Sequence, residues 1–159
     1  MKPKRYMLDI ETLGNYGCAV LLQIAVISFD GKEVFNCKFD PDKQPKSITT
    51  ESTIEFWSDK EMPIGNDDFL ASLKHLRAFL MNADEVWCHN FDHEILFTVC
   101  REYGLQIPYH YTKFRDIRTL VALSGIDLNK FDWDKKTHDA LDDVKFQVEY
   151  CSEAIDMLS

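Results

Sequence analysis

At 159 residues, 45% hydrophobic and 13% aromatic, the chain has the length of one domain and enough apolar side chain to fill a core, which excludes an intrinsically disordered protein. A formal net charge of −9 at pH 7 excludes a broad basic face that grips long duplex, but not contact with nucleic acid through a small site. No run approaches the roughly 20 apolar residues needed to span a bilayer, the segment after the basic start is too short and acidic for a signal-peptide core, and cysteines 18, 37, 88, 100 and 151 lack C-x-x-C spacing, so a single cytoplasmic domain over residues 1–159 with free thiols is expected.

Residues 6–11 form a short mixed run leading to Gly14, and the β-branched run 19–29 closes at Asp30-Gly31. Both read as strands, the second as a central one. Residues 33–39 follow that turn directly and end at Asp40-Pro41, which predicts an antiparallel hairpin and an opening meander of three strands. Residues 40–66 carry Pro41, Pro45 and Pro63 and read as a long loop with a short helix at Ile54-Glu55-Phe56-Trp57. Phe69, Leu70, Leu73, Leu76, Phe79 and Leu80 have the spacing of an amphipathic helix over 68–81.

A strand over 85–89 follows, then a helix over 91–103 with Asn90 as its cap and Gly104 at its end. Residues 107–114 are ambiguous, with a strand as one reading, and 117–124 is a short helix stopped by Gly125. Asp139 reads as the N-cap of a final helix whose stripe is Leu141, Val144, Val148, Cys151, Ile155 and Leu158. Strands first, then helices interleaved with strands, make an α/β layer fold with a mixed sheet.

Three short patterns carry chemistry. Asp9 and Glu11 are two apart on the first strand, so both leave the same face, where paired carboxylates invite a cation. Asp92 shares one helical face with Leu96, Val99 and Tyr103, which turns it toward the sheet rather than the solvent. His138 stands five residues before Asp143, the acid in the first full turn of the final helix and the histidine on the loop side of the cap. A rigid acid suits a metal ligand, and a looser histidine suits a base that meets and leaves a water. Each pattern alone also has a plain structural reading: two acids facing water at a strand end, an acid favoured by a helix dipole, and a surface histidine before a cap.

Taken in this order, Asp-Ile-Glu on the first strand, Asn-x-Asp after a later strand and His-x-x-x-x-Asp at the final helix resemble the DEDDh 3′–5′ exonucleases of the ribonuclease H-like superfamily. The stretch Asp9 to Gly14, Phe56-Trp57-Ser58 and Arg115-Asp116-Ile117-Arg118-Thr119-Leu120 look most like its compact phage and bacterial group, typified by phage T4 exonuclease A and including a mycobacterial exoribonuclease. One departure is Gln23-Ile24-Ala25, where proofreading subunits often carry Glu-Ile-Gly.

The resemblance implies an α/β ribonuclease H-like fold with a mixed five-stranded sheet, antiparallel in its first three strands and flanked by helices. It implies two divalent cations, Mg²⁺ or Mn²⁺, on Asp9, Glu11, Asp92 and Asp143, with His138 as general base, and release of nucleoside 5′-monophosphates from single-stranded DNA or RNA 3′ ends. Thr12, Leu13, Trp57, Asn90 and Arg118 are its substrate-side residues. Leu13 is a wedge under the terminal base, and Trp57 either stacks on a base or anchors its loop. Asp116 supports the site; Arg115 and Arg118 contact phosphate or pair with Asp116. Lys130, Lys135 and Lys136 near Trp133 either touch the strand or are simply solvated. Some short relatives are homodimers.

His89 and His93 with Cys88 lack the further ligands a closed zinc site needs. The alternative function is a catalytically silent nucleic-acid or polymerase-partner binding module of the same fold, and a third is a phosphatase acting on small molecules. From its place outside the helix, His138 is expected to be mobile and to stand away from the carboxylates in metal-free protein.

Overall fold

The computed structural model describes all 159 residues. The strands are β1 (Arg5–Thr12), β2 (Leu21–Ser28), β3 (Val34–Lys38), β4 (Glu85–Cys88) and β5 (Phe114–Asp116). The helices are α1 (Glu51–Trp57), α2 (Phe69–Phe79), α3 (Asn90–Glu102), α4 (Ile117–Ser124) and α5 (Ala140–Met157). The sheet has five strands in the order β3-β2-β1-β4-β5. β1, β2 and β3 pair antiparallel, while β4 runs parallel to both β1 and β5. This is the mixed, helix-flanked sheet expected from the resemblance. β2 is an interior strand, as expected, between β3 and β1 and buried along its length, while β1 takes the middle of the sheet because the parallel half attaches to it. No helix is long and apolar enough to cross a membrane.

Side-chain alternation along β1 divides the molecule. Tyr6, Leu8 and Ile10 enter one core with Leu73 and Leu76 of α2 and Leu96 and Val99 of α3. Met7 enters the other with Leu120 of α4 and Val144 and Cys151 of α5. Asp9 and Glu11 continue the Met7 row, so the period of two that buries the strand also sends both carboxylates toward α5. The β1–β2 register shifts between Glu11 and Thr12. Such a bulge bends a strand and re-aims its last side chains, and it lies here where the acids end and the loop begins.

Three local expectations need correction. His89, not Asn90, occupies the cap position of α3, without a side-chain cap bond; the Asn90 backbone N–H is instead held at 3.2 Å by Asp116. The strand expected within 107–114 is only Phe114–Asp116, since the residues before it form a loop and a short 3-10 turn. On α5 only Val144 and Cys151 of the expected stripe are buried; Leu141, Val148 and Ile155 are half-buried, Leu158 is exposed, and Asp143, Phe146, Gln147 and Tyr150 are buried beside them. The helix packs on β1 and β2 with one side and on α4 with another, so its covered face is wider than one stripe.

Candidate functional site

The end of β1 is held tightly. Leu13 donates its N–H to Val20 and accepts at its carbonyl from Thr50, each at 2.9 Å. Gly14 lies against Ala19, where a Cβ would come within 2.7 Å of that residue's Cβ. The Trp57 indole N–H donates to the Thr12 carbonyl at 3.0 Å, and only 4% of Trp57 is exposed. Of the two roles open to Trp57, the fold gives it anchorage of the loop beneath Thr12 and Leu13, with almost none of its face left for a base.

The start of α5 is held from the sheet. Gln23 on β2 accepts the Ala140 N–H at 2.8 Å, donates to Asp139 at 3.1 Å and donates to Asn36 at 2.9 Å. Asp139 caps the helix through the Leu141 N–H and pairs with Lys38. Position 23 is thus the brace that sets the final helix on the sheet. One turn in, Asp143 accepts the Thr137 N–H at 3.0 Å and is 2% exposed. His138 sits between cap and strand with φ +62°, the left-handed region that non-glycine residues rarely adopt. Phe56 of α1 packs edge-on against its ring at 5.0 Å.

Glu11, His138 and Asp143 bring ligand atoms within 4.8 Å of one another. His138 therefore stands with the carboxylates, contrary to the expectation that it would lie away from them. Asp9 is 7% exposed and accepts from Gln147 at 3.2 Å, and Asp92, 4% exposed, has one oxygen buried with no hydrogen-bond partner. The chain thus brings Asp9, Glu11, Asp92, Asp143 and His138 to the C-terminal edge of β1 and β4. Asp116 lies behind them as the cap of α4, bonding the Thr119 N–H and the Asn90 N–H.

All four carboxyls are pushed above the usual carboxylate range. Burial is the main cause for each; Asp143 next raises Asp9, while Asp9 next raises both Glu11 and Asp92. Burial moves His138 the other way, below its ordinary value, which favours the neutral imidazole. No lysine or arginine forms an ion pair with any of the four. Buried acids without a counter-charge either keep protons or take a cation. An all-carboxylate set with an unsatisfied oxygen on Asp92 fits hard divalent ions such as Mg²⁺ and Mn²⁺.

The remaining residues divide. Asn90 and Phe91 are exposed at the start of α3, and Leu13 is half-buried at the strand end. Arg118 borders the cavity that Asp143 lines and makes no ion pair, whereas Arg115 turns to Glu85 at 3.8 Å. Lys130 and Lys135 pair with Glu153 and Glu149 of α5; Lys136 stays free beside Asp143. His93 stacks on Phe114 at 4.1 Å and bonds Tyr109, a packing role. Reading the sequence assigned no role to Gln147, and it marked Gln23 only as a departure from the family pattern, not as the brace it forms. A polar residue four positions after Asp143, on the covered face of α5, was the available signal for Gln147.

The family described as the 3′-5′ exoribonuclease Rv2179c-like domain matches residues 4–155. The chain is similar to the exodeoxyribonuclease of Enterobacteria phage T4, 26% identical over 144 residues. That match takes in 79% of this chain and 62% of the phage protein. The family B DNA polymerase from the hyperthermophilic archaeon Pyrobaculum calidifontis matches in structure with a TM-score of 0.41 at 12% identity, over 67% of this chain and 12% of that one.

Proposed function

This chain belongs to the family of the 3′-5′ exoribonuclease Rv2179c-like domain, and on that footing we propose that it is a cytoplasmic, metal-dependent exonuclease removing nucleoside 5′-monophosphates from the 3′ ends of single-stranded RNA or DNA. Residues 1–159 act as one catalytic domain of the DEDDh kind. The observation that carries the reading is the meeting of buried Asp9, Asp92 and Asp143 with half-buried Glu11, none of them in an ion pair, beside the neutral-favouring imidazole of His138.

Asp9, Glu11, Asp92 and Asp143 would hold two divalent cations. The chemistry such a pair supplies is neutralisation of phosphate charge and a lowered pKa for the attacking water. Gln147 and the Thr137 N–H keep Asp9 and Asp143 in place, so the ligand oxygens need no reorganisation. The His138 ring nitrogen takes the proton from the water as it attacks the terminal phosphodiester, and the leaving 3′ oxygen departs with the shortened strand. Thr12 and Leu13, braced by Trp57, form the bed of the terminal nucleotide. Asn90 and Arg118 flank the strand that leads to it.

The test is digestion of 3′- and 5′-labelled single-stranded RNA and DNA with Mg²⁺, with Mn²⁺ and with EDTA. Label at the 3′ end should appear first as mononucleotide, EDTA should stop its release, and Asp9→Ala should reduce it to background. Internal cuts, hydrolysis of free mononucleotides in preference to oligomers, or full activity of Asp9→Ala would each refute the reading. Both sugars belong in the assay, since the family's description names an exoribonuclease and the phage relative is an exodeoxyribonuclease.

A further inference from the structure

A cavity of about 350 Å³ opens beside the carboxylates, between α4, the turn Trp133–Lys135 and α5. That volume lies at the small end of the range for ligand sites. Val121 on one side and Trp133, Phe146 and Tyr150 on the other make its walls flat and apolar. Trp133 lies 26° from parallel to the Tyr150 ring, with centroids 6.2 Å apart, and is 44% exposed although it is large and aromatic.

Polar groups in this wall lack partners. Gln147, 4% exposed, gives its amide N–H to Asp9, yet its Oε1 is buried with nothing to accept from. His89 Nδ1 is likewise buried and unbonded. Arg118 and Lys136 also border the cavity, and neither forms an ion pair. Two free cations in a chain of net charge −9 are the charge complement of phosphates passing the mouth.

A ligand for this cavity must be flat, must offer an N–H to Gln147 Oε1, and must be joined to negative charge. Every common nucleobase in a phosphodiester strand meets those demands. We propose that the cavity receives the base of a substrate nucleotide on the 5′ side of the scissile bond, stacked on Trp133, with Arg118 and Lys136 on adjoining phosphates. The proposal rests on the exonuclease reading, because the cavity shares Asp143 with the proposed centre. Stacking on an indole is tolerant of sequence, so the contact grips the strand without choosing among bases.

The test is equilibrium binding in EDTA of fluorescent single-stranded oligomers in which one base at a time is replaced by an abasic residue. Wild type, Trp133→Ala and Val121→Trp are compared, the latter filling the cavity from α4 with the aromatic wall retained, and folding is checked by thermal melting. Wild type should lose about tenfold in affinity when one particular base 5′ of the terminal nucleotide is missing. Both variants should bind the intact oligomer about tenfold more weakly and ignore loss of that base. If Trp133→Ala does not fold, Val121→Trp carries the comparison.

Folded variants that keep the wild-type response at every abasic position would overturn the proposal. So would Trp133-dependent binding of free adenosine 5′-monophosphate without any abasic response, which would give the cavity to released product. No turnover is measured, so the two readings fail separately. A strand-binding protein that shows the contrast but releases no mononucleotide sinks the catalytic reading alone; a working exonuclease without the contrast sinks only the cavity assignment.

Discussion

Asp9 shares its buried surroundings with Asp143 and Glu11, and without a cation the cheapest response is to hold protons. Folded carboxyls raised above their unfolded values bind more protons than the unfolded chain does, so stability falls as pH rises. This contribution is complete below the ordinary carboxylate range near pH ~4, and it disappears through about 7 for Asp9 and about 10 for Glu11. Melting in EDTA should accordingly be higher at about pH 5 than at about pH 8, and saturating Mg²⁺ should flatten the difference by binding only the folded form. Asp92→Asn in EDTA at the higher pH should melt above wild type, by roughly 2–4 °C for each ~1 kcal/mol of repulsion relieved, while losing activity. A variant that melts lower would contradict an unpaired, strained carboxylate. Gln147→Leu removes the bond that orients Asp9, and Mn²⁺ affinity should fall about 10- to 100-fold with little change in circular dichroism. His138 holds a backbone conformation that glycine adopts freely. His138→Gly should therefore be inactive yet at least as stable as wild type, and added imidazole should restore part of its rate. The acids proposed as metal ligands stood out in the sequence because each breaks an apolar period. Gln147 carried a fainter signal, a neutral amide one turn after Asp143, whose meaning depends on knowing that this face of α5 is covered.

The site depends on two braces between elements. Gln23 ties β2 to the start of α5 by two hydrogen bonds and to Asn36 of β3 by a third, and Trp57 ties α1 to the end of β1 by one. Gln23→Leu leaves a buried Ala140 N–H and Asp139 partly unsatisfied, a loss of about 1–3 kcal/mol by denaturant unfolding, and it should lower kcat more than it raises KM, because the helix carrying Asp143 shifts. Trp57→Phe keeps the bulk and removes the single N–H donor, so it should cost about 1 kcal/mol and act chiefly on KM through Thr12 and Leu13. Equal effects on KM and kcat in both variants would count against this division. The helices α2, α4 and α5 could be read from apolar spacing and from Asp68, Gly125 and Asp139 at their ends. Elements of low local information could not. β5 is three residues long and exists because β4 offers it a parallel edge, and the cap of α3 falls at His89 because Asp116, at the end of the neighbouring β5, holds the next N–H.

Across the whole molecule, β1 separates two cores, and the acidic row on one of its faces is the continuation of the packing row that fills the second. Truncation in the first core, as in Leu76→Ala, should lower stability by about 2–5 kcal/mol and leave kcat of the folded fraction unchanged. With a net charge of −9 and only Arg118 and Lys136 free beside the acids, strand binding should depend weakly on salt. At roughly −0.7 per phosphate contact on a single strand, two contacts give a log–log slope of about −1.4, and a slope several times steeper would reveal a basic track elsewhere. The overall α/β order was legible because the strand and helix periods differ; the gathering of distant residues was legible only through the resemblance, since nothing local joins them. Gln147 reaches Asp9 across 138 positions of chain, so the centre is the product of the completed tertiary structure. A nascent polypeptide whose α5 is still inside the ribosome has no such centre, so whatever activity the centre supports begins only once synthesis has passed that helix.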